Sequence, residues 1–155
     1  MNSGSGSKEA LSIIQILAEM HEFVRESTLR KKLAEFYEFS ESEKRQTILL
    51  ALNAAPSIRP NKLSSLVTTW MNVLSEFDTP KIIEMLRLYC QEISRDEQIL
   101  SRLNIDSLID AFLALDETKK EKFIICFKEA ILTLPNVEKF IQIIPDGALN
   151  VLNMT

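Results

Sequence analysis

The chain has 155 residues, the length of one domain, and a domain of that size buries about two-thirds of its unfolded surface. Hydrophobic residues make up 46% and charged residues 26%, a globular balance. The net charge of −4 runs against the basic excess that nucleic-acid binders carry, so nucleic acid is an unfavoured partner. Of three glycines, Gly4 and Gly6 sit in the first seven residues and only Gly147 lies beyond them. Tight β-hairpins need more positions with positive φ, so composition favours helices.

Residues 1–7 read as a flexible leader and residues 8–155 as a single all-helical domain. Residues 8–26 read as an N-terminal capping helix. Its apolar positions, among them Leu11, Ile14, Leu17, Met20 and Val24, cover about half the circumference, wider than one buried stripe requires. Such a helix must be covered on more than one side, which leaves room for a homodimer contact there.

Helical hairpins are expected over 27–56, 63–94 and 104–135. The first opens at the N-cap pair Ser27-Thr28. Its second helix starts at Ser40, with Glu43 completing a capping box, and stops near Pro56. In the second hairpin Leu63, Leu66, Trp70, Met71, Leu74 and Phe77 form one stripe. Asp78 caps the following helix, and Pro80 sits in its first turn, where a missing N–H costs nothing. A short helical piece from Glu97 to Leu103 bridges to the third hairpin. There Asn104 or Asp106 opens one helix, and Asp116 caps its partner, which ends at Pro135. Residues 136–155 form a C-terminal cap, with Asn136 opening a short helix and Pro145-Asp146-Gly147 turning the chain.

A weak motif recurs every 38 residues: Phe39-Ser40-Glu41-Ser42, Phe77-Asp78-Thr79-Pro80 and Leu115-Asp116-Glu117-Thr118. At this offset eight columns are apolar in all three units: 29/67/105, 33/71/109, 36/74/112, 39/77/115, 48/86/124, 50/88/126, 51/89/127 and 55/93/131. Composition alone would give about three, although helical periodicity itself raises such agreement. One period further on, Gly147 falls in the column of Leu33, Met71 and Ile109, and the pattern stops. In period and helix-pair layout the chain resembles HEAT-type repeats. The expected fold is therefore all-α: stacked antiparallel helical hairpins forming a short α-solenoid. The alternative is an irregular multi-helix bundle.

Catalytic chemistry finds few footholds. His21 is the one histidine, and zinc sites draw on several His or Cys ligands. Asp106 and Asp110 share a helix face at i, i+4, yet carboxylates in that position are commonly solvated. No glycine lies between residues 7 and 146 to build a phosphate-cradling loop. Cys90 and Cys126 sit in apolar runs and read as reduced, buried hydrophobes of a cytoplasmic protein. No apolar run reaches the ~18 residues of a membrane span. No enzyme activity, cofactor or metal is expected. The expected function is a non-catalytic protein–protein interaction module, a small scaffold or adaptor. Candidate partner-binding residues are Tyr37, beside a helix end where its hydroxyl reaches water, and Lys44, Arg45, Lys119 and Lys120. Lys44 and Lys120 share a column, so the alternative function is a nucleic-acid-associated regulator using that basic edge.

Overall fold

The computed structural model describes residues 13–154, which form ten α-helices and one 3-10 turn, with no strand among the described residues. The first helix, α1, is described over 13–19. It is followed by α2 (Glu22–Phe36), α3 (Glu41–Ala54), α4 (Pro60–Leu74) and α5 (Thr79–Arg95). Then come α6 (Glu97–Arg102), α7 (Ile105–Leu113), α8 (Glu117–Leu132), α9 (Val137–Ile143) and α10 (Asp146–Val151). The leader at 1–7 and the helix start at Lys8 lie outside the described residues.

The helix starts keep the sequence period. α2 and α4 open at residues 22 and 60, and α3, α5 and α8 open at 41, 79 and 117, each 38 residues apart. Helices in equivalent positions lie side by side: α2 on α4, α4 on α7, α3 on α5 and α5 on α8. Neighbours run parallel, because their bonds advance together along both. Arg25 of α2 bonds Thr69 of α4, and Arg30 of α2 bonds Glu76 just past the end of α4. Small side chains let α7 approach α4 closely: the Ser107 hydroxyl donates to the Pro60 carbonyl at 3.2 Å, and the Thr68 hydroxyl to that of Ala111 at 3.4 Å. The third unit departs from the pattern, its first helix being split into α6 and α7 at Leu103-Asn104. α9 and α10 then close the end, α9 against α5 and α8, α10 against α7.

The core follows the recurring columns. Phe36, Leu74 and Phe112 are buried in all three units, and among the eight columns Phe39 is the one exposed member. A second cluster joins Cys90, Ile131, Leu134, Phe140 and Leu152 beneath the C-terminal helices.

The caps largely match expectation. Ser40 and Glu43 form the reciprocal capping box of α3, the Asp116 side chain accepts from the Lys119 N–H, and that of Asn104 from Ser107. Asp78 occupies the N-cap position of α5 without a side-chain bond. The Glu43 carboxyl is held below its ordinary value chiefly by the Ser40 backbone N–H, with the Ser40 side chain adding to it. Its contribution is therefore complete above the unfolded pKa and is lost as pH falls through the lower folded value. Ser40→Ala should destabilise the fold by about 1 kcal/mol in urea unfolding at neutral pH. An unchanged midpoint would show that the box is not formed in solution.

One boundary needs correcting. The single helix expected over 8–26, with a new one at Ser27, is instead broken at Met20-His21, and α2 runs through Ser27 and Thr28. The cause is Arg25, which is buried and donates to the carbonyls of Met20 (3.0 Å) and Ala18 (3.5 Å) and to the Thr69 hydroxyl (3.0 Å). The guanidinium satisfies the last carbonyls of α1, so the chain can turn there without stranding them. Thr28 does not cap a helix; its hydroxyl bonds back to the Val24 carbonyl at 2.8 Å.

Candidate interaction surface

The five candidate residues occupy two helices and one turn. Tyr37 ends α2, Lys44 and Arg45 lie on α3, and Lys119 and Lys120 lie on α8, with α5 packed against both α3 and α8.

Tyr37 belongs to an aromatic corner that ties the first turn to the second. Its ring meets Phe36 edge-on at 5.5 Å and Phe77 at 5.4 Å. Lys81 and Lys44 approach its face at 5.4 and 5.9 Å. Its hydroxyl, expected to reach water at the helix end, donates to the Lys81 carbonyl at 2.6 Å in an exposed bond. Burial, and then the negative charges of Glu84 and Asp78, push the phenol above its ordinary pKa.

Lys44 is buried, its stem against the core and its ammonium 2.7 Å from Glu84. It takes the column position that the fully buried Ile82 fills one unit later, so the side chain is half core and half ion pair. Lys119 donates to Asn72 Oδ1 at 2.9 Å, and Lys120 pairs with Glu117 at 3.1 Å. Lys122, one turn on, donates to the Ser75 carbonyl at 2.9 Å and closes the end of α4. The lysines of the expected basic edge thus make contacts within and between the helical units.

Arg45 behaves differently. Its Nε reaches both carboxylate oxygens of Glu92, at 3.2 and 3.0 Å, and Arg95 contributes Nη1 to the same carboxylate. The Glu92 side chain is 3% exposed, whereas those of Arg45 and Arg95 are 53% and 54% exposed. A buried carboxylate thus anchors two guanidinium groups at the surface. Sequence reasoning missed Glu92, although a signal existed: its column partners are Ala54 and Ala130, both buried. Beside this network an open cavity of about 420 Å³ runs between α3 and α5, lined by Glu41, Pro80, Glu84, Arg87, Leu88 and Gln91. Arg87 Nε is buried without a hydrogen-bond partner among the described residues.

Exposed apolar side chains include Ile16 on α1, Phe23, 77% exposed, on α2, and Ile125 and Leu132, which share one face of α8. Trp70 is half-buried, edge-on to Tyr89 at 5.5 Å, in keeping with core packing.

His21 is exposed and caps α2, its Nδ1 accepting from the Phe23 N–H at 3.4 Å. Asp106 and Asp110 are exposed on α7, and no group of three or more metal-ligating side chains occurs among the described residues. Both cysteines are free and buried. Burial pushes the Cys90 thiol up to about 12, and it raises that of Cys126 against an opposing pull from Lys122. A thiol reagent at pH 8 should label neither in the native protein and both in denaturant. Fast native labelling would show that α5 or α8 opens locally. No helix among the described residues is long and apolar enough to cross a membrane.

These observations define an all-α protein whose helices pack side by side. Compared with family models, curated proteins and solved structures, the chain matches none.

Proposed function

We propose that the protein is a non-catalytic protein–protein interaction module: a small scaffold or adaptor built as a short α-solenoid of stacked helix hairpins. The observation that carries this reading is the recurrence of helix starts every 38 residues, with equivalent helices packed side by side. Repetition of this kind makes each unit lean on its neighbours and presents a row of helices as one extended surface, an arrangement suited to holding another protein. Architecture is a fold-level warrant, so the binding face has to be found by experiment. Lys44 and Lys119, spent on Glu84 and Asn72, weigh for a protein partner over a phosphate backbone. A reducing, cytoplasmic setting fits two free buried thiols.

The test is capture of partners by the tagged protein from extract of its source, with and without nuclease, read by mass spectrometry. The reading expects a stoichiometric protein partner that survives nuclease. Loss of every partner on nuclease treatment would overturn it. So would recovery of the bait alone as a monomer; a bait that pairs with itself would make the partner a second copy.

A further inference from the structure

We infer that the α3–α5 face is a docking site for an acidic peptide segment of a partner protein, received by Arg45, Arg87 and Arg95. This rests on the interaction-module reading and names its surface. Glu92 absorbs one unit of the charge of Arg45 and Arg95, so these three side chains together leave one unit of positive charge at the surface.

The two outer guanidinium groups are also pre-positioned. Arg45 spends Nε on Glu92 and keeps both Nη groups, while Arg95 spends Nη1 and keeps Nε and Nη2; no described residue partners the groups they keep. Holding a guanidinium by one side and offering the other lowers the ordering cost of binding, and its planar fork matches a carboxylate.

Arg87, Gln91 and Arg95 recur at i, i+4 and i+8, so they share one face of α5. Arg87 lines the cavity, and its buried Nε has no hydrogen-bond partner among the described residues. A buried donor left unpaired is costly, so the Arg87 side chain gains by turning its guanidinium toward an acceptor in the cavity.

The neighbouring charges select the kind of anion. Glu41 and Glu84 line the far end of the same cavity and lie 3.9 and 2.7 Å from Lys44. A long polyanion such as a nucleic acid would run into them, on a chain of net charge −4. A short acidic stretch needs only the arginine end.

The test uses a fluorescein-labelled hexaglutamate peptide, read by anisotropy on the full chain, with hexaglutamine as control. Saturable binding of hexaglutamate is expected, tenfold or more tighter than hexaglutamine and weakening with salt. Arg87→Gln and Arg95→Gln should each weaken it by roughly tenfold. Arg87→Gln leaves both partners of Glu92 in place, so it keeps the test valid even if Arg95→Gln proves less stable. Equal binding of the two peptides would overturn the proposal, as would unchanged affinity in both variants. Tighter binding of a single-stranded oligonucleotide of equal charge would overturn it in favour of a phosphate surface. If the R87Q/R95Q variant still captures the wild-type partners from extract, this docking site fails while the scaffold reading stands.

Discussion

Replacing Phe123 by alanine should cost about 3–5 kcal/mol of stability, whereas Ile125→Ala, two residues along the same helix, should change it by no more than about 0.5 kcal/mol. Phe123 is fully buried in the main core cluster that α8 shares with α5, and Ile125 is 65% exposed on the opposite side of α8. Truncating the ring removes its transfer free energy and leaves a cavity that the surrounding helices fill only in part. A domain of this kind is stable by only ~5–15 kcal/mol, so the first variant should unfold at much lower urea. Comparable midpoints for the two variants would mean that α8 is rotated from the orientation described.

The second large effect is an asymmetry around Glu92. Removing both arginines, as Arg45→Ala with Arg95→Ala, leaves a carboxylate buried without a cation and should cost about 3–5 kcal/mol. Removing the carboxylate instead, as Glu92→Leu, should fall within about 1 kcal/mol of wild type. Both guanidinium heads are half-exposed and can hydrate again, and a leucine packs where the column partners Ala54 and Ala130 are buried. Urea unfolding of the two proteins measures the difference directly. Equal losses would place Glu92 in solvent.

Much of the helical layout was legible because its signals are local. Ser40 with Glu43, Asn104 and Asp116 each bond an amide two or three residues inside the helix they open. Pro80 stands in the first turn of α5 for a reason visible in its own ring. Helical periodicity also marks much of the core, since Phe36, Leu74 and Phe112 are all buried.

The misread features depend on partners far along the chain. Arg25 looks like a surface residue until Thr69, 44 positions on, comes beside it. The break it causes at Met20-His21 is hidden because Ser27-Thr28 offer a better local cap. The Tyr37 hydroxyl finds its acceptor at Lys81, again 44 residues away. Lys44 and Lys119 read as a solvated edge because nothing near them in sequence announces Glu84 or Asn72. The bonds to Thr69, Lys81, Glu84 and Asn72 each span 40 to 47 residues, so the packing order of the helices decides them.

Zero-length carbodiimide coupling followed by peptide mapping tests this packing order most directly. Lys44 lies 2.7 Å from Glu84 across α3 and α5, and Lys62 lies 3.6 Å from Glu19 across α4 and α1. Lys120 with Glu117, 3.1 Å apart within α8, serves as a control that forms in any fold retaining that helix. The stacked arrangement predicts Lys44–Glu84 and Lys62–Glu19 links within the monomer, alongside the control. Control links without Lys44–Glu84, or Lys44 joined instead to acids of α8 or α9, would contradict it.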